Sequence, residues 1–307
     1  MLSGPMRRST QFNFPKFEFN SIFTGGRDNC IRVLDMKGKE VYNIDLQEEV
    51  KTAVMPRIRS ICTNKENDTL LVGTFGSEIY ELIAEGYLNF LIFLKYDRGS
   101  LTAKSKFNTK CYMKGHYTPN PLWTNEVWGL APLNMVHPKG ERYLSCSDDA
   151  TLRLYSTKQR KCITMKRFDV KDFNDLSSKK MPYVKIKGFK GRGMPEKYTA
   201  RCVGIANDDN MIVVGMKEGT IVVIKCDQTK WDLNMQKVKT FNQAKRWVSE
   251  IKFSPDNSKC VIGDHYAQIY LYNCLGKGKK FFKKRKLPKK HSSSITHMDW
   301  TADGENL

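Results

Sequence analysis

The strongest constraint in this 307-residue chain is a four-residue phrase that recurs along it. It reads Ile58-Arg59-Ser60-Ile61, Val127-Trp128-Gly129-Leu130, Cys202-Val203-Gly204-Ile205, Val248-Ser249-Glu250-Ile251 and Ile295-Thr296-His297-Met298. Successive phrases begin 69, 75, 46 and 47 residues apart. A period of roughly 40–45 residues is that of a WD-repeat propeller blade. The last two intervals are therefore read as single blades, and the first two as blades that carry insertions.

The residues after each phrase recur as well. A turn leads to a β-rich run, a tight turn and a second run. The run pairs are Leu70–Gly73 with Glu78–Leu82, Tyr143–Cys146 with Thr151–Tyr155, Met211–Gly215 with Thr220–Ile224, and Cys260–Gly263 with Gln268–Tyr272. Thr151-Leu152-Arg153-Leu154-Tyr155 alternates with period two, as a half-buried strand requires. No stretch sustains a helical period. A single antiparallel blade is too small to bury its own faces, so blades stack radially and share their apolar surfaces. The expected fold is all-β, a WD-repeat β-propeller with about five recognisable blade units.

Within one propeller region spanning 1–307, the units are read at approximately 17–46, 56–114, 125–166, 199–240 and 246–290, with a partial unit at 294–307. The first unit supplies only later strands, Phe19–Thr24, Cys30–Asp35 and Glu40–Asp45, and the last only a first strand, Ser294–Trp300. The two ends could complete one blade, or the chain could be a piece of a longer, tandem propeller. Unpaired strand edges are a liability, which favours the second arrangement. Insertions are placed near 83–110 and 168–198. The first contains the uncharged, β-prone Leu88–Leu94, readable as an extra strand, a contact surface or an aggregation-prone segment. The second, Phe168–Tyr198, reads as a basic surface loop.

In WD repeats a His, a turn Asp and a Trp form a hydrogen-bonded network that pins each blade. Here the network is degenerate: the Trp-Asp dipeptide is replaced by Leu34-Asp35, Tyr155-Ser156, Ile224-Lys225 and Tyr272-Asn273. His116 and Asp149 are accordingly read as structural residues, not as a catalytic pair.

Charge narrows the choice of partner. The chain carries 52 Lys and Arg against 32 Asp and Glu, a net charge of +20. Nine of the 15 residues of Gly276–Lys290 are basic and none is acidic: Lys277, Lys279, Lys280, Lys283, Lys284, Arg285, Lys286, Lys289 and Lys290. This connection between blades is expected to be a loop or an outer strand. A second basic loop holds Lys185, Lys187, Lys190, Arg192 and Lys197. Such a surface calls for an acidic partner: a protein face, nucleic acid or an anionic membrane. The apolar stretches are too short for a membrane-spanning helix, and no secretory leader is read. Nine cysteines, an odd number without a C-x-x-C pair, point to a reducing compartment with no disulfide or zinc site. No phosphate-binding loop is present. Asp148 and Asp149 are adjacent turn residues, and His291 and His297 are poor metal partners, so neither an enzyme nor a cofactor or metal is expected.

Several phrases resemble the echinoderm microtubule-associated protein-like family. They are Ile58-Arg59-Ser60-Ile61-Cys62 with Leu70–Thr74, Glu126-Val127-Trp128-Gly129-Leu130-Ala131 with Ser145–Asp149, and Arg201-Cys202-Val203 with Val213–Gly215 and Glu218-Gly219-Thr220. Trp247–Asp256 and His291–Trp300 continue the series, and the likeness runs in order over about residues 20–307 outside the insertions. Members have tandem propellers, an oligomerising segment and a hydrophobic HELP motif. The last two are not found here, so the expected match is the C-terminal propeller. The resemblance implies a non-enzymatic scaffold on microtubules, located in the cytoplasm on the cytoskeleton, with ciliary axonemes as one setting. It makes an acidic tubulin surface the leading partner, with other protein partners possible. The alternative is a nuclear or RNA-associated adaptor, in which Lys283–Lys286 serves nuclear import or Phe281 and Phe282 stack on bases. A solvated loop that only confers solubility is the bland reading of the same residues. No membrane partner is expected.

Overall fold

The computed structural model describes residues 21–35, 37–51, 53, 55–63, 69–84, 107–113, 115–116, 125–135, 141–168, 199–226, 236–242, 247–275, 280–288 and 291–307. These residues form five antiparallel sheets. The first has three strands, β1 (Ser21–Gly25), β2 (Cys30–Asp35) and β3 (Glu40–Asp45), and leads into a four-residue helix, α1 (Leu46–Glu49). The second has β4 (Ile58–Thr63), β5 (Thr69–Thr74), β6 (Ile79–Ala84) and β7 (Phe107–Met113), and the third β8 (Val127–Pro132), β9 (Arg142–Ser147), β10 (Thr151–Ser156) and β11 (Lys161–Arg167). The fourth has β12 (Ala200–Ile205), β13 (Met211–Met216), β14 (Thr220–Lys225) and β15 (Gln236–Asn242), and the fifth β16 (Val248–Phe253), β17 (Lys259–Asp264), β18 (Ile269–Leu275) and β19 (Lys280–Lys286). Each sheet is a meander, and the inner strands β4, β8, β12 and β16 lie side by side in that order. This is a β-propeller.

The apolar core lies in the seams between sheets. Ile31 and Ile44 of the first sheet meet Ile61, Val72 and Tyr80 of the second. Leu71 and Ile79 of the second meet Tyr143 and Tyr155 of the third. Leu144 and Leu152 meet Ile212 and Val214, and Met211 and Val213 turn the other way to meet Ile251 and Ile262. Successive residues of β13 thus serve opposite seams, which is why Met211–Met216 is buried throughout and does not alternate. Burying each such side chain contributes about 1.5–3 kcal/mol before the entropy of ordering is counted.

Glycines let the seams close. At Gly25 an added Cβ would collide with Ile58 Cγ2, and at Gly73, Gly215 and Gly263 it would meet Val127, Val248 and Ile295 at 2.7, 2.5 and 2.8 Å. Those four partners each open a copy of the recurrent phrase, so the phrase marks where one blade locks onto the glycine of the blade before it. The third sheet has Cys146 at this place, and the sizes invert: Gly129 stands opposite it in the sheet, and Ala200 begins the next inner strand.

The register corrects one reading. The inner pairs shift between Ile58 and Ser60, Val127 and Gly129, Ala200 and Cys202, and Val248 and Glu250. The third copy of the phrase is therefore Ala200-Arg201-Cys202-Val203, not Cys202–Ile205. A two-residue slip preserves the pleat, so alternation alone could not distinguish the two.

Ser294–Trp300, expected as a strand, has no ladder partner among the described residues. Its side chains still occupy the next inner position. Ile295 and Met298 bury against Val261 and Leu271, and Trp300 Nε1 donates to the Lys252 carbonyl at 3.4 Å. The ends of the two expected insertions are also ordered: Ile83 and Ala84 finish β6, 107–110 begin β7, and Phe168 is fully buried. Residues 85–106, with Leu88–Leu94, and 169–198 lie outside the described residues.

Candidate partner-binding surface

The bulge that fixes the register also re-aims side chains. In each inner strand the residue skipped by the ladder is the second of the phrase: Arg59, Trp128, Arg201 and Ser249. The first three interleave with aromatic rings. The Arg59 guanidinium lies 4.0 Å from both the Phe75 and Trp128 ring centroids, and Arg201 lies 3.8 Å from Trp128 and 5.1 Å from Trp247. Trp247 continues edge-on to His265 at 4.5 Å. Arg59 pairs with Glu126, and Asp148 accepts from Trp128 Nε1 at 3.0 Å and lies 3.1 Å from Arg201. Burial lowers the Arg201 pKa, with the carboxylate of Asp148 opposing it. Stacked guanidinium groups of this kind each contribute about 0.5–2 kcal/mol. This ladder stitches four blades together. Sequence reasoning misses it, because it emerges only when the third phrase is aligned on Arg201.

His116 and Asp149 are brought together as structural residues. His116 is fully buried; its Nδ1 lies 2.9 Å from Asp149 Oδ2 and its Nε2 2.7 Å from Ser145 Oγ. Asp149 can only accept, so Nδ1 carries the proton, and Ser145 donates to Nε2. Burial drives the ring toward neutrality and lowers its pKa, although Asp149 pulls the other way. Burial raises the Asp149 pKa, but hydrogen bonds from His116 and Thr151 outweigh it and the net shift is downward. Tyr155, standing where a Trp is usual, donates to the Gly115 carbonyl at 2.5 Å. In the fifth sheet Tyr270 donates instead to the Asp264 carboxylate, at 3.1 Å.

The inner strands and the C-terminal segment border an open channel of about 430 Å³ lined by Trp128, Leu130, Glu250, Lys252, His297 and Trp300 among others. Glu250 Oε2 and His297 Nδ1 lie 3.5 Å apart. Cys62, on the channel wall, has its thiol pushed up to about 12 by burial, which leaves it a poor nucleophile at neutral pH. No cluster of metal-ligating side chains occurs among the described residues, and none of their helices is long and apolar enough to cross a membrane.

The basic stretch resolves into an outer strand. Lys280, Lys283, Lys284, Arg285 and Lys286 all fall within β19, which pairs with β18 from Tyr270↔Lys286 to Leu275↔Lys280. Arg285 and Lys286 are exposed. Lys277, Lys279, Lys289 and Lys290 lie outside the described residues, as does the whole second basic loop from Lys185 to Lys197. The β18–β19 ladder shifts register between Leu271 and Tyr272, and every outer strand carries a comparable shift. Such bulges discourage edge-to-edge pairing at the outer strands.

The side-by-side antiparallel blades, with their His-Asp network and Arg-aromatic ladder, define a β-propeller of the WD-repeat class. Residues 127–307 match the family described as the echinoderm microtubule-associated protein second beta-propeller, and the chain belongs to that family. Echinoderm microtubule-associated protein-like 2 of Rattus norvegicus is 22% identical over 279 residues, covering 91% of this chain and 32% of the relative. The 77 kDa echinoderm microtubule-associated protein of Strongylocentrotus purpuratus is 26% identical over 184 residues, 60% of this chain and 21% of the relative. The ciliary WD repeat-containing protein ctxp80 of Euplotoides octocarinatus is 24% identical over 213 residues, 66% of this chain and 25% of the relative. The chain thus spans a third or less of the length of these relatives.

Proposed function

We propose that this chain is a non-enzymatic scaffold that docks its basic perimeter, through β19 above all, on the acidic surface of tubulin. The observation that carries the reading is the charge of β19: five basic residues in seven and no acidic one, on the outermost strand of a propeller in a microtubule-associated family. Long-range attraction speeds encounter, and shape complementarity then sets the lifetime of the complex. The field of such a surface reaches about 8 Å at physiological salt, so docking weakens as salt rises. The location in this reading is cytoplasmic and cytoskeletal, and the ciliary relative supports an axonemal setting.

The test is co-pelleting with microtubules at near-physiological salt. Wild type is compared with a variant carrying Lys283→Glu, Lys284→Glu, Arg285→Glu and Lys286→Glu. Charge is reversed by substitution because removing Gly276–Lys290 would strip the fifth sheet of its outer strand. Pelleting by wild type and its loss in an equally folded variant support the reading. Wild type that stays in the supernatant refutes it.

A further inference from the structure

The topology places β19 in a larger pattern. The third, fourth and fifth sheets are consecutive around the ring, and β11, β15 and β19 are their outer strands. β11 contributes Lys161, Lys166 and Arg167, β15 contributes Lys237 and Lys239, and β19 contributes five more basic residues. No acidic residue occurs in any of the three. The outer strand of the first sheet is opposite in character, with Glu40 and Asp45 and no basic residue, and β7 holds Lys110 alone. Strand charge on the perimeter is therefore −2 on β3, +1 on β7, +3 on β11, +2 on β15 and +5 on β19.

We infer that the contact surface is this three-blade arc, and that its occupant is an extended acidic polypeptide segment lying along the perimeter. The inference rests on the proposed acidic-partner reading and specifies its ligand. A compact acidic spot would be satisfied by β19 alone. Ten like charges on three consecutive outer strands suit a flexible chain that crosses from blade to blade. An acidic polypeptide is favoured over nucleic acid because the chain belongs to a microtubule-associated protein family, on which the proposed acidic-protein reading rests. The bulges in all three outer ladders leave side-chain charge, not backbone addition, to make the contact.

The experiment uses the full chain and fluorescein-labelled poly-L-glutamate of six and 20 residues. At about 3.3–3.6 Å per residue these reach roughly 20 and 70 Å, the length of one outer strand and of several blades. Binding is read by fluorescence anisotropy for wild type, for Lys161→Glu with Lys237→Glu and Lys239→Glu, and for Lys283→Glu with Arg285→Glu and Lys286→Glu. Thermal unfolding verifies that each variant folds. The β11/β15 variant is expected to weaken the 20-mer about tenfold, or about 1.4 kcal/mol, while six-mer affinity changes less than about twofold. The β19 variant weakens both peptides. A 20-mer indifferent to the β11 and β15 substitutions overturns the arc. Single-stranded RNA of equal charge that binds more tightly and loses affinity in the same variants overturns the polypeptide assignment. Arc-dependent peptide binding without microtubule pelleting would refute the tubulin reading and leave the arc standing.

Discussion

Gly215→Ala tests the seam geometry most sharply. The new Cβ would lie 2.5 Å from Val248 Cγ1 and 2.6 Å from both Val248 Cβ and Cys202 Sγ. Carbon contacts are optimal near 3.5–4.0 Å, so one partner must move by about 1 Å. Both Val248 and Gly215 sit in buried runs of neighbouring sheets, which limits relaxation. Overpacking of this kind costs about 1–3 kcal/mol. Val248→Ala alone leaves a void and costs roughly 2 kcal/mol. Together the two changes should cost less than their sum by about 1 kcal/mol or more, because each relieves the defect of the other. The assay is denaturant unfolding of wild type, both single variants and the double variant, comparing midpoints at constant m-value. A single Gly215→Ala variant within about 0.5 kcal/mol of wild type, or strictly additive effects, would refute the account of phrase and glycine as one lock.

The two buried networks and the perimeter carry further expected outcomes. His116 has a lowered pKa, so the unfolded chain takes up a proton that the native ring refuses, and stability falls as pH drops below about 6.5. Asp149, also lowered, adds a loss that begins only below about 4; His116→Gln should flatten the first decline, and it reduces the second as well because the His116 hydrogen bond helps hold Asp149 down, as read by unfolding midpoints from pH 7.5 to 4. Glu218 is raised to about 7, mainly by burial, so its stabilising effect is present below its unfolded value near 4.5 and lost as pH rises through 7. Glu218→Gln is therefore expected to stabilise the protein at pH 8 relative to wild type, and not at pH 5, in the same assay. Arg201→Lys keeps the charge but removes the flat face between Trp128 and Trp247; a loss of about 1 kcal/mol in unfolding free energy is expected.

The fold was legible because a propeller writes its period into the chain. Ile58, Val127, Val248 and Ile295 recur because each must fill the space beside a glycine of the preceding blade. The slip at Cys202 shows the limit: period-two alternation survives a two-residue shift, and only the bulge at Arg201 settles the frame. The Arg-aromatic ladder was invisible for a related reason. Arg59, Trp128 and Arg201 are scattered over more than 140 residues, and what joins them is a common position in register. His116 and Asp149 could be paired in advance because a turn acid and a preceding Gly-His form a local, known pattern. The basic run was plain from composition. Its place as one edge of a three-blade arc depends on which strands are outermost, and that is a property of topology.

The central claim is that the basic perimeter of this propeller is what touches the microtubule. Zero-length carbodiimide crosslinking of the full chain on microtubules, read by mass spectrometry, tests it most directly. Crosslinked peptides joining residues 280–286 to tubulin carboxylates, diminished by excess unlabelled poly-glutamate and preserved in the presence of RNA, are the predicted result. Crosslinks confined to the residues of the Arg59–Trp247 face, or none from β19 despite robust pelleting, would contradict it.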